Sequence, residues 1–217
     1  MNILSLFVVI PALMLLGLWI ARNLNQVRGV MVVGSTLLLG LSAWLTWDFM
    51  QLRAAGNTDA MVFTDSIVWF EPLNIAYSVG VDGISVVMLL LSSIIVFTGT
   101  FASWQLKPMT KEYFLWFTLL STGVYGFFIC TDLFTMFMFY EVALIPMYLL
   151  IGVWGSGNKE YAAMKLTLML MGGSALLIIG ILGIYFFSGA TTMNVNEIAA
   201  MNNIPGEVQN VLFPFIF

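Results

Sequence analysis

One acidic residue, Glu141, lies inside an otherwise apolar run of the chain and is the strongest candidate for chemistry. The run covers residues 132–154, and a helix crosses the hydrocarbon core of a membrane with about 20 residues. A charged group at mid-bilayer costs about 2.5–3.5 kcal/mol on insertion scales, and burial favours the neutral form of a carboxyl group. Glu141 is therefore predicted to load and release a proton, or else to tie two helices together by hydrogen bonds.

Other polar residues near this position could assist such a proton. Pro146 follows five positions after Glu141 and frees the backbone carbonyl of Val142, where water can bind, although a simple packing kink is the alternative. Lys165 lies early in the next apolar run, where it either extends to the membrane surface or faces inward and relays protons. Three further side chains could extend a hydrogen-bonded path: Tyr140, Tyr148 and Thr167.

The rest of the composition excludes several classes of site. The chain has one cysteine, Cys130, and no histidine, so an internal disulfide is excluded and the commonest metal ligand and proton shuttle is missing. We predict no metal site and no cofactor bound by this chain. No cluster of basic residues indicates nucleic-acid binding. Asp82 and Asp132 each precede an apolar run and are predicted to cap the helices that follow.

These residues must be positioned by membrane helices. Hydrophobic residues make up 61% of the chain and charged residues 8%, against about 25% charged in soluble domains. We predict an all-α, polytopic membrane bundle forming one domain over residues 1–217, with residues 51–82 outside the membrane as a short hairpin or a surface helix. The six complete spans and the start of a seventh are expected at about 3–20, 29–50, 83–104, 113–130, 132–154, 161–188 and from 208.

The orientation follows from the basic residues, which alternate between the two sets of connections. Five of the seven basic residues fall on one side of the predicted bundle, namely Arg22, Arg28, Lys107, Lys111 and Lys159. The opposite connections carry only Arg53. Because cytoplasmic loops are enriched in Lys and Arg, we expect the N-terminus on the non-cytoplasmic side of a bacterial inner membrane.

Three stretches of the sequence together resemble one family. They are residues 77–85, 131–155 and 161–167, and the most specific has an acid, then Pro-Met five positions later, then Leu-Ile-Gly-x-Trp-Gly. They look like chain M, also called subunit 4, of the proton-translocating NADH–quinone oxidoreductase of respiratory complex I. The resemblance implies an antiporter-like helical subunit in which Glu141 matches the glutamate of the fifth helix, paired with a lysine on the seventh. That lysine would lie beyond Phe217, and Lys165 matches a lysine early in the sixth helix.

The resemblance also implies a function and its partners. The subunit would couple NADH oxidation and quinone reduction elsewhere in the complex to proton translocation through Glu141, in contact with the lipid bilayer and other membrane subunits. NADH, FMN, iron–sulfur clusters and quinone would be bound by other parts of the complex. Members of this family are longer, so we expect an N-terminal fragment. A subunit of a multi-subunit cation/proton antiporter or of an energy-converting hydrogenase is the alternative, and a structural membrane scaffold is another.

Overall fold

Helices form most of the part of the chain that the structure describes, with one antiparallel hairpin between the second and third long helices. The computed structural model describes residues 2–71, 74–106, 110–189, 192–201 and 206–216. A 3₁₀ turn at Ile3–Ser5 leads into the first helix. The elements are α1 (Leu6–Ile20), α2 (Leu24–Ala54), β1 (Val62–Phe70), β2 (Ile75–Val81), α3 (Gly83–Ala102), α4 (Thr110–Ile129), α5 (Leu133–Trp154), α6 (Lys159–Ser188), α7 (Val195–Met201) and α8 (Gly206–Ile216).

Five helical segments in the described ranges are long and apolar enough to cross a membrane, by length and composition. They are Ile3–Ile20, Leu24–Ala54, Gly83–Ala102, Leu133–Trp154 and Lys159–Phe187. The sequence led us to expect six complete spans, and α4 is the difference. It is as long as α3, with 20 residues, but it begins with Lys111 and Glu112 and buries several hydroxyl groups. Because α4 contacts α1, α2, α3 and α5, much of its surface meets protein rather than lipid. The predicted mostly helical, multi-pass membrane bundle is confirmed.

The bounds of the second helix and the region after the sixth differ from the expected ones. Helix α2 begins at Leu24, five residues before the expected start, because the Gln26 side chain accepts hydrogen bonds from the backbone N–H groups of Arg22 and Asn23 and so stabilises an earlier first turn. Its last residue is Ala54, four residues beyond the expected end at residue 50. Helix α7 was not predicted, because its 7 residues are too few for a periodic pattern.

Residues 51–82, which were predicted to lie outside the membrane, contain a hairpin, one of the two structures expected for them. Strands β1 and β2 pair antiparallel, with Ser66 opposite Ser78 and Ile67 opposite Tyr77, and the two serine hydroxyls are 2.8 Å apart. The ladder is irregular near Phe63, whose φ of 59° is typical of a bulge. Strand β2 is buried and packs against α3, α4 and α5, whereas most of β1 is exposed. The hairpin is therefore anchored to the bundle through its second strand.

The first four helices enclose the main core. Phe7, Met31, Leu89 and Tyr125, one from each of α1 to α4, are fully buried. The Tyr125 ring packs 5.6 Å from the Phe7 ring, and its hydroxyl donates a hydrogen bond of 3.2 Å to the Ser93 hydroxyl in α3. A buried tyrosine hydroxyl needs such a partner, so this contact helps to set the rotation of α4 against α3.

Basic side chains near the starts of the even-numbered helices reach the carboxyl ends of the odd-numbered helices. The Lys111 ammonium donates to the carbonyls of Trp19 and Ala21 at the end of α1, at 3.1 and 2.7 Å. Arg28 donates to the carbonyl of Trp104 just after α3, at 2.7 Å, and Lys159 donates to a carbonyl near the end of α5. Cations are favourable where the last carbonyls of a helix lack partners. Lys107, a further member of this basic set, lies outside the described residues.

The Asp82 carboxylate caps α3 and should make that cap pH-dependent. It accepts a hydrogen bond of 2.8 Å from the backbone N–H of Ser85. Burial opposes the charge, but hydrogen bonds from Ser85 outweigh it and hold the pKa of Asp82 below its ordinary value of 3.8. The folded state therefore binds this proton less tightly than the unfolded chain does. Above the ordinary pKa of an aspartate, the cap contributes its full stabilisation to the folded state. This stabilisation is lost as the pH falls through the lower, folded-state pKa of Asp82.

Asp82→Ala is accordingly expected to destabilise the start of α3 by about 1 kcal/mol at neutral pH. Hydrogen exchange of the amides in the first turn of α3 measures this effect, with the start of α5 as the internal reference. Acidification should raise the exchange of these amides in the wild type more than in the variant. Equal acid sensitivity in both proteins would contradict the assignment of the cap to this carboxylate.

Candidate functional site

Helix α5, which carries Glu141, is positioned first by its start. Asp132 is only 1% exposed, and its Oδ1 accepts a hydrogen bond of 2.8 Å from the backbone N–H of Thr135. A negative side chain at this position also interacts favourably with the helix dipole. The helix then runs without interruption from Leu133 to Trp154, through Pro146.

A close contact with α4 sets the rotation of α5. A Cβ atom added to Gly123 would lie 2.8 Å from the carbonyl oxygen of Phe139 and 2.9 Å from the Cβ of Ala143, so only glycine fits there. Successive residues of an α-helix are about 100° apart around its axis, which places Glu141 on the opposite side of α5 from Phe139 and Ala143. The acid is therefore turned away from α4.

On that side, Glu141 borders a cavity between α5 and α6 that is open at the surface of the described bundle. The cavity has a volume of about 400 Å³ and is lined by Met138, Glu141, Val142, Leu144, Ile145, Tyr148, Thr167 and Met171. The Oε1 atom of Glu141 is buried and has no hydrogen-bond partner among the described residues. An unpaired buried carboxylate oxygen is costly, so water or a cation is expected to bind beside it.

The cavity brings together some of the predicted path residues and leaves others out. Tyr148 and Thr167 line it beside Glu141. Tyr140 does not line it, because its ring packs toward α4, with its centre 6.5 Å from that of Phe127. Pro146 is buried within the continuous α5, one turn beyond the Val142 carbonyl that it leaves without an intrahelical donor.

Lys165 lies on a different face of α6 from the cavity. It is exposed and borders an outer groove with Tyr161, Met164, Leu168 and Met169. Its ammonium is 5.9 Å from the centre of the Tyr161 ring. Thr167 faces the cavity instead, since two residues along a helix point in nearly opposite directions. The inward-facing lysine that the sequence allowed does not occur in the described part of the bundle.

Sequence reasoning missed most of the apolar lining, including Met138 and Met171. No pattern marks these residues, because which of them face Glu141 depends on how α5 and α6 pair. A second cavity of about 460 Å³ adjoins the first, since Met138 and Val142 line both, and it extends to Tyr77 of the hairpin. Among the described residues, no group of three or more acidic or cysteine side chains is arranged to hold a metal ion.

Comparison with known proteins finds a family that part of the chain resembles. A family model described as NADH:quinone oxidoreductase/Mrp antiporter, transmembrane, matches residues 130–217, which include α5, α6 and Glu141. NADH-quinone oxidoreductase subunit M of Rickettsia conorii is 27% identical over 98% of this chain. Residues 130–217 of the chain are therefore similar to this family of antiporter-like membrane subunits. The resemblance that the sequence motifs indicated is thereby confirmed.

Two further comparisons describe how this chain relates to longer proteins. NAD(P)H-quinone oxidoreductase chain 4 2 of Thermosynechococcus vestitus is 29% identical over 83% of this chain and 33% of its own length. The solved structure of respiratory complex I from Thermus thermophilus with bound NADH contains a chain of the same fold. The TM-score is 0.82 at 21% identity, covering 98% of this chain and 42% of that chain. The chain also spans 43% of the Rickettsia relative, so it corresponds to less than half of each.

Proposed function

We propose that this chain is a proton-translocating membrane subunit of an NADH–quinone oxidoreductase and that Glu141 is the group that takes up and releases the proton. The observation that carries the proposal is the buried, unpartnered Oε1 of Glu141 beside a cavity in an apolar helix. The names of the Rickettsia and Thermosynechococcus relatives support the choice of complex. The test is Glu141→Gln in the assembled complex, with proton translocation measured at equal electron flux.

Proton uptake and release by Glu141 requires only a change in the charge near its carboxyl group. A cation within about 4–6 Å favours the ionised form of a carboxyl group, and its withdrawal favours the neutral form. If water reaches the cavity from one side in the first state and from the other side in the second, each cycle moves one proton. Tyr148 and Thr167 offer hydroxyl groups along the cavity wall. The cation would come from a lysine on the seventh membrane span of the family, which is a different helix from α7, as the family resemblance implies.

The remaining parts of the proposal concern the whole complex and its membrane. NADH, FMN, iron–sulfur clusters and quinone are assigned to other subunits, and this chain is assigned none of them. Its partners are the lipid bilayer and other membrane subunits, with no nucleic acid. The location is a bacterial inner membrane with the N-terminus on the non-cytoplasmic side. The basic residues at the ends of α1, α3 and α5, including Lys111 and Lys159, support this orientation.

Lys165 enters the proposal as a secondary residue of the proton path. Because it lies outside the Glu141 cavity, Lys165→Gln is expected to lower proton translocation less than Glu141→Gln does. Lys165→Arg keeps the charge and should restore the rate if charge is what matters. Translocation measured in membrane vesicles at equal electron flux decides this. Full activity of the glutamine variant would remove Lys165 from the path.

A second candidate function is a subunit of a multi-subunit cation/proton antiporter or of an energy-converting hydrogenase. The observation that favours it is the family model, whose description includes Mrp antiporters. Co-purification separates the candidates, because only the oxidoreductase assignment predicts flavin and iron–sulfur subunits together with NADH-dependent quinone reduction. A purely structural scaffold predicts instead that Glu141 is dispensable in every transport assay.

A further inference from the structure

The backbone of the connection between α4 and α5 forms hydrogen bonds on both sides, as the middle strand of a sheet does. On one edge, the backbone N–H of Thr131 donates to the carbonyl of Ser78 in β2, at 2.9 Å. On the other edge, the N–H of Val195 donates to the carbonyl of Thr131, at 3.0 Å. Single bridges pair Val79 with Cys130 and Asp132 with Asn194. The start of α5 is thus joined both to the hairpin and to the segment that follows α6.

The Asp132 side chain adds a further link between α5 and β2. Besides the Thr135 N–H at its Oδ1, its Oδ2 accepts a hydrogen bond of 3.3 Å from the backbone N–H of Ala76 in β2. The Thr135 hydroxyl in turn donates to the carbonyl of Ala76, at 2.9 Å. A helix cap normally satisfies only donors of its own helix. This carboxylate is 1% exposed and also binds a strand of the extramembrane hairpin.

Glu141 lies nine residues further along the same uninterrupted helix, about 13 Å deeper at 1.5 Å per residue. A shift or rotation of the first turn of α5 therefore moves the Glu141 carboxyl group relative to α6. We propose that Asp132, with Thr135, is a positioning residue that sets the depth and rotation of Glu141 by locking α5 to the hairpin. This inference rests on the proposed role of Glu141, and it makes the hairpin part of the proton-translocating device.

The test compares three variants of the full chain, purified with the subunits that accompany it and placed in lipid bilayers. Asp132→Asn replaces one acceptor oxygen with a donor, and Thr135→Val removes only the hydroxyl bond to Ala76. Asp82→Asn is the matched control, because Asp82 caps α3 with the same 2.8 Å geometry at a distance from α5 along the chain. The spectroscopic reading is the infrared carbonyl-stretch band of protonated Glu141, identified by its loss in Glu141→Gln.

We expect Asp132→Asn and Thr135→Val to shift this band and to lower proton translocation roughly 10- to 100-fold, because a displacement of about 1 Å at a reacting group costs that much. Asp82→Asn should leave the band in place. An unshifted band in both α5 variants overturns the inference, as does an equal shift in the Asp82 variant. Loss of translocation in Asp132→Asn alone, with Thr135→Val normal, would overturn it too, since Asp132 would then act directly. The role of Glu141 itself fails only if Glu141→Gln translocates normally.

Discussion

Glu141→Gln is expected to lower proton transfer through this subunit by about 10²-fold or more, the range lost when a group that transfers a proton is removed. Glutamine keeps the shape of the side chain and one acceptor oxygen, but it cannot be ionised at any working pH. The buried Oε1 of Glu141 has no partner among the described residues, so the substitution removes few protein contacts. The measurement is protons translocated per electron in membrane vesicles that contain the assembled complex.

Two matched variants make this result specific to the site. Glu112→Gln is the same substitution at an exposed position in the first turn of α4 and should translocate like the wild type. Glu141→Asp keeps the titrating group and should retain part of the activity. A Glu141→Gln enzyme that pumps as well as the wild type at equal electron flux would refute the proposed role.

Gly123→Leu is expected to have the largest effect on the fold. The first side-chain atom alone would lie 2.8 Å from the backbone oxygen of Phe139 and 3.0 Å from the backbone nitrogen of Ala143. Backbone atoms cannot move aside as the end of a flexible side chain can, so α4 and α5 must separate. Overpacking a core typically costs about 1–3 kcal/mol, and the three further carbons of leucine should exceed that range. Thermal unfolding of the protein in lipid bilayers or in detergent measures the loss of stability.

Gly40→Leu is the control for this prediction. Gly40 lies in α2 and is exposed, and a Cβ atom added there meets nothing within 4 Å. Leucine also forms helices better than glycine does, by about 1 kcal/mol, so this variant should be as stable as the wild type or slightly more stable. If both leucine variants unfold alike, close packing at Gly123 is not what holds α5 against α4.

The packing of Gly123 and the position of Glu141 are connected through the rotation of α5. The face of α5 that meets Gly123 lies opposite the face that carries Glu141, so the contact that holds the helix also aims the acid at α6. A milder change, Gly123→Ala, should therefore alter the environment of Glu141 even where the protein still folds. The infrared band of the protonated carboxyl group is the reading that separates this effect from a loss of stability.

The amino-acid sequence is enough to identify the chain as a multi-pass helical membrane protein with an acid within one of its spans. Both conclusions follow from hydropathy, which is a local property of the chain and needs no knowledge of neighbouring helices. The sequence also limited residues 51–82 to two structures, a hairpin or a surface helix. The choice of the hairpin depended on the pairing of β1 with β2 and on the contacts of β2 with α3, α4 and α5.

Which residues share a cavity with Glu141 depends on how the helices pack against one another. Tyr148 and Thr167 do, whereas Tyr140 turns toward α4 and Lys165 lies on another face of α6. Helices α5 and α6 are apolar on all sides, so their sequences carry no amphipathic stripe that would reveal which face meets which neighbour. Their rotation is set by long-range contacts such as those of Gly123 with α5 and of Asp132 with β2, which no local pattern encodes.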